Sequence, residues 1–252
     1  MTFCIGMKCA DGLFALADTR ITSGTEMSTA RKISIHQYEQ HSMFMLTSGL
    51  RSLRDKAVTY FEERLKNEHG LDRMFKAANA LSDEIRRVRT EDLDWLVQGG
   101  LFFDLHCIFG GQLSGDEDAH LYLIYPEGNW VEVRAGTPYV IIGESRYGKP
   151  ILDRVWRYER SLEDALRIGL LAFDATKTSA SDVDYPVDSV VYRQDSFELR
   201  EARFTGDDLA PLRSSWQTAV SAAVDAASPT VRPLYERLRD APPAQTRYGD
   251  SA

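Results

Sequence analysis

Five residues near the start of the chain have types and spacing that suit acyl transfer. Thr2 follows Met1 directly and opens the run Phe3-Cys4-Ile5-Gly6-Met7. A methionine ahead of a small residue is a normal substrate for N-terminal trimming, and its removal would leave Thr2 with a free α-amine beside its own hydroxyl. Such an amine has a pKa of about 7.7–8.0, so a neutral fraction exists near pH 7 to accept the hydroxyl proton. A threonine hydroxyl paired with its own N-terminal amine is an established form of activated nucleophile. Asp18 and Arg20 in "ADTR" and Lys32 in "ARKISI" are the nearest candidates to tune it. A cation close to the amine depresses its pKa by like-charge repulsion, and a carboxylate holds the ammonium in place. Gly49 in "LTSGL" falls between an apolar run and a helical pattern, where a backbone N–H can serve as an oxyanion donor.

These residues need rigid elements to bring them together. Phe3, Ile5 and Met7 alternate with small or polar neighbours, "ADG" is turn chemistry, and "LFALAD" resumes the alternation, so the first eighteen residues read as a β-hairpin. "KISIHQY" and "SMFMLTSG" form a second pair. After Gly49 the apolar period changes to three and four, which predicts a helix through Leu65 and another over about 72–89. Strands return in "FDLHCIFGGQL", "HLYLIYPEG", "NWVEVRAG" and "YVIIG". Two more helices follow, around 150–157 and 162–175, before the hairpin "DSVVYR" and "FELREARF". Strands alternating with paired helices imply an α+β protein built as a four-layer αββα sandwich. Residues 1–206 form that domain on this reading. Residues 207–252 form a helical extension whose end, "APPAQTRYGDSA", is expected to fray.

Composition narrows the functional classes. At 252 residues and a net charge of -8, with cations dispersed, the chain does not present the basic stripe of a nucleic-acid or anionic-membrane binder. Cys4, Cys9 and Cys107 show no CxxC spacing, and the five histidines never pair at ligand distance, so neither a disulfide framework nor a metal centre is expected. No targeting segment or membrane span is apparent, which makes the cytoplasm the expected compartment. Cys4 reads as strand packing, and "FGGQLSGDEDAH" as a hairpin turn that lacks the form of a phosphate loop.

The combination "TFCIG…GLFALADTR…TARK…LTSG" resembles the β-type proteasome subunits, which are N-terminal nucleophile (Ntn) hydrolases. "IGESRYGKPILDRV" and "DYPVDSVVY" are similar to segments of the Anbu-type bacterial homologues within that family. The resemblance implies Thr2 as nucleophile, its amine as base, Asp18 and Lys32 as the tuning pair, Gly49 as oxyanion donor, and Arg20 beside them. It implies no cofactor, a peptide substrate, and a homo-oligomer of ring-like or lock-washer form with the Tyr147 region among its contacts. The supporting serine and aspartate of the family transfer less cleanly. Glu144 stands where those subunits carry serine, and Ser179, Ser181 and Asp182 compete for the other positions, with Ser179 and Asp182 preferred. An amidase of a small or modified peptide, or a non-catalytic scaffold subunit that keeps Met1, are the competing expectations. An ATP-driven unfoldase or peptide-ligation enzymes are conceivable partners that no residue identifies.

Overall fold

A computed structural model of the chain describes residues 2–23, 26–68 and 70–243. They form two compact units, one ending at Leu209 and the other starting at Ala210.

The first unit is an αββα sandwich. One sheet has the order β10-β1-β2-β11-β12, from Tyr139–Gly143, Phe3–Cys9, Gly12–Asp18, Val187–Arg193 and Leu199–Phe204. The second has the order β5-β6-β7-β8-β9, from Ile33–Tyr38, His41–Gly49, Leu105–Leu113, His120–Ile124 and Trp130–Glu132. All pairings are antiparallel. Helices α1 (Arg51–Asn67) and α2 (Met74–Gln98) cover the second sheet, while α4 (Leu162–Ser179) covers the first and packs with α3 (Lys149–Val155).

The alternation in β1 sets this layering. Its large residues Phe3, Ile5 and Met7 are fully buried, and Phe3 meets Phe173 of α4. Its small residues Cys4 and Gly6 turn toward the other sheet; a side chain at Gly6 would strike Ile108. β1 and β2 are thus buried on both faces, with large residues under the helix and mainly small ones, Cys4, Gly6, Ala15 and Ala17, where the sheets approach.

Three features differ from the sequence expectation. A two-stranded ribbon, β3 (Arg20–Ser23) with β4 (Glu26–Thr29), follows β2; its strands are short, with one apolar residue each, so no apolar alternation marks them. Helix α2 runs to Gln98, about nine residues further than its apolar period suggests, because Leu93 and Leu96 continue to pack against the core under α1 and α2. In the second unit the prolines do not end helical structure. Helix α5 (Ala210–Ala226) is followed by α6 (Ser228–Arg239), where Pro229 occupies the first turn, which needs no backbone donor, and Pro233 lies inside. The expected fraying falls mainly on residues 244–252, outside the described ones. No helix of the described residues is long and apolar enough to cross a membrane.

Candidate active site

Asp18 ends β2, the central strand of the first sheet, and Lys32 immediately precedes β5, an edge strand of the second, so the two sheets deliver them to the same end. Lys32 Nζ donates to Asp18 Oδ1 at 2.7 Å, and the side chains are 5% and 0% exposed. The same carboxylate accepts the backbone N–H of Phe3 at 2.9 Å and that of Arg20 at 3.2 Å. Burial lifts the Asp18 carboxyl above its ordinary pKa, and the Lys32 ammonium and these two amides pull against that rise. The ion pair is therefore bonded to the peptide unit next to Thr2.

Thr2 is fixed from the other side by β10. Phe3 pairs with Gly143 across the β1–β10 ladder, and the Glu144 N–H donates to the Thr2 carbonyl at 2.7 Å. Gly143 has φ +83°, and a Cβ there would lie 2.0 Å from the Thr2 carbonyl oxygen. Gly49, with φ +126°, ends β6 against the backbone of Asp104, where a Cβ would fall 1.7 Å from the Asp104 oxygen. Both positions admit only glycine.

Thr2, Arg20, Lys32, Gly49 and Gly143 line one cavity of about 880 Å³, together with Thr47, Ser48, Arg51, Arg54 and Asp104. The structure thus brings five of the seven sequence-predicted site residues together: Asp18 lies under the cavity through Lys32, and Thr2, Arg20, Lys32 and Gly49 face it. The other two stand elsewhere. Ser179 is the exposed last residue of α4, Asp182 is half-buried in the turn that follows, and neither lines the cavity. Asp184 reaches Arg20, its carboxylate 3.3 Å from Nη1 and also 3.3 Å from Lys177 Nζ. Its place two residues beyond Asp182, in a loop without periodicity, explains why spacing alone did not select it.

Glu144 is nearly buried, and Arg146 Nε donates to its Oε1 at 2.9 Å. This guanidinium holds the Glu144 carboxyl below the usual range. A depressed folded-state pKa means that the pair stabilises fully above the unfolded glutamate value of about 4.3 and fades as pH falls through the folded value. Glu144→Gln is expected to flatten the acid limb of a stability-against-pH curve below about pH 4, measured by urea unfolding at stepped pH. Cys4 is enclosed, and burial pushes its thiol far above the usual value, so it packs rather than reacts. Among the described residues no group of three or more His, Cys, Asp or Glu side chains is placed to hold a metal ion.

Two facing antiparallel sheets between helix layers, with threonine ahead of β1, aspartate at the end of β2 and lysine ahead of β5 gathered at one end, define an Ntn-type sandwich. Residues 2–185 match the family model described as Proteasome subunit. Solved structures narrow the relationship. A mutant of Anbu from Hyphomicrobium sp. strain MC1 is 33% identical, with 89% of this chain and 97% of that one covered and a TM-score of 0.82. Anbu from Yersinia bercovieri, titled an ancestral beta-subunit, is 30% identical over 88% and 96%, with a TM-score of 0.82. The helical assembly of the Anbu complex from Pseudomonas aeruginosa is 27% identical over 98% and 100%, with a TM-score of 0.81. No curated protein matches the chain. The chain belongs to the proteasome subunit family, as a subunit of the Anbu type.

Proposed function

We propose that the chain is a threonine-type Ntn hydrolase of peptide bonds, acting as a homo-oligomer. The observation that carries this reading is the buried Asp18–Lys32 pair, bonded through Asp18 to the Phe3 N–H beside Thr2. With Met1 removed, the Thr2 amine takes the proton from Oγ1 as that oxygen bonds to the substrate carbonyl carbon. The Gly49 N–H stabilises the oxyanion of the tetrahedral intermediate. Collapse breaks the C–N bond, the amine's proton passes to the leaving amine, and an acyl ester remains on Thr2. Water, deprotonated by the same amine, then hydrolyses the ester. Lys32 keeps the amine neutral, and Asp18 holds Lys32. Arg20, clamped by Asp184, braces the strand that follows Asp18. Met1 lies outside the described residues, so its removal is part of the proposal. Assembly rests on the P. aeruginosa Anbu complex, whose structure is a helical one.

Intact mass of the purified protein tests the trimming, and a β-lactone tests the nucleophile. One lactone is expected to add per trimmed chain, at Thr2, and none to the Thr2→Ala variant. A correctly trimmed, assembled protein that takes up no lactone would overturn the proposal in favour of a non-catalytic subunit.

A further inference from the structure

The cavity that Thr2 lines has a rim of a particular charge. Arg51 and Arg54 stand in the first turn of α1, directly after Gly49, and both line it. That turn contains no acidic residue, and its N-cap, Leu50, supplies no side-chain acceptor to the first amides. The positive end of a 17-residue helix is therefore left without a capping side chain beside the cavity. A second, independent feature lies next to it. Thr47 lines the same cavity, is only 6% exposed, and its Oγ1 is buried with no hydrogen-bond partner. A buried hydroxyl without a partner carries an energetic cost that an incoming acceptor would relieve.

The charge balance of the rim points to the acceptor. Arg51 Nε and Arg54 Nη2 both bond to one carboxylate, Asp55, at 3.2 and 2.6 Å, so two guanidinium groups share one negative charge. Arg20 is paired with Asp184, and Lys32 is matched by Asp18, so the unbalanced charge of the rim is that of Arg51 and Arg54. Asp104 also lines the cavity, but its side chain is largely exposed and bonded to His106 at 2.9 Å. In a chain of net charge -8 the lining residues are Arg20, Lys32, Arg51 and Arg54 against Asp104.

We infer that this rim receives a substrate carboxylate, so that the enzyme selects peptides whose residue on the acyl side of the attacked carbonyl is glutamate or aspartate. The inference rests on the hydrolase reading for its chemistry but on the rim for its selectivity. Arg51 and the α1 terminus would attract the carboxylate, and the Thr47 hydroxyl would donate to it. Charge-assisted hydrogen bonds are roughly twice as strong as neutral ones, so the uncharged isostere glutamine should be a poorer substrate.

The test compares fluorogenic peptides ending in glutamate or glutamine on the trimmed protein. A kcat/KM ratio of about tenfold in favour of glutamate is expected, shrinking as salt screens the rim. Arg51→Gln should bring the ratio near one, and Arg51→Glu should invert it, whereas a purely structural role would lower both substrates alike. A wild-type ratio of one or less, or a ratio unchanged in Arg51→Gln, would overturn the inference while leaving the hydrolase reading intact. Binding of the same two peptides to Thr2→Ala, read by fluorescence anisotropy, separates the claims in the other direction. Tighter binding of the glutamate peptide by a protein whose wild type cleaves nothing would uphold the rim and sink the hydrolase; equal binding would sink the rim.

Discussion

Lys32→Met is expected to cost on the order of 3–5 kcal/mol of folding stability, because it leaves the Asp18 carboxylate enclosed without its cation. Methionine keeps the length and apolar body of the lysine stem, so lost packing contributes little. The unpaired carboxyl also takes up a proton more readily in the folded chain than in the unfolded one. Its folded pKa then lies above the unfolded value of about 3.9, so the variant's stability falls as pH rises from there through the folded value. The deficit should accordingly be larger at pH 8 than at pH 5 in urea unfolding. On the proposed mechanism the same change leaves the Thr2 amine largely protonated and slows lactone addition by up to about 10²–10⁴-fold, the range that a general base contributes. The double variant Asp18→Asn with Lys32→Met should regain most of the stability, since removing both partners of a buried pair is far less costly than removing one. It should not regain the reactivity. A double variant that folds like the wild type and labels at the wild-type rate would reduce the pair to a structural one.

Gly143→Ala is the second large effect. The alanine Cβ would lie 2.0 Å from the Thr2 carbonyl oxygen, at a φ of +83° that L-residues rarely adopt. Strain of this kind costs roughly 1–3 kcal/mol. Relief requires β10 to move away from β1 just where Glu144 N–H holds the Thr2 carbonyl. A displacement of about 1 Å at a reacting group can reduce the rate by roughly 10²-fold. Lactone labelling of Gly143→Ala is expected to fall by about that factor while circular dichroism still reports a folded chain at low temperature. Labelling at the wild-type rate would mean that β10 does not set the position of Thr2.

The sandwich and the core of the site could be read from local pattern because each depends on short-range signals. β1 and β2 alternate large and small residues, and Asp18, Lys32 and Gly49 sit at strand ends that the pattern itself defines. What escaped is long-range or weakly patterned. Asp184 meets Arg20 across 164 positions of sequence, and nothing around "DVDYP" distinguishes it from Asp182. The β3–β4 ribbon is held by backbone pairing of two four-residue strands with one apolar residue each, too few to set an apolar period. Arg51 and Arg54 read as surface cations of an amphipathic helix until the cavity beside them is known. The contrast between Ser179 and Glu144 is similar: the resemblance points to both, and only the fold shows that the Glu144 N–H is bonded to Thr2 while Ser179 is turned to solvent.

The order in which β1 acquires its neighbours has a consequence for biogenesis. Its hairpin with β2 forms locally, but its other edge waits for β10, 140 positions later, and β2 waits for β11, as Asp18 pairs with Val187. Contacts of such separation close late, after most of the polypeptide has been synthesised. A nascent or truncated chain would therefore carry the threonine without the scaffold that aims it, and would stay latent while still exposed to its neighbours on the ribosome.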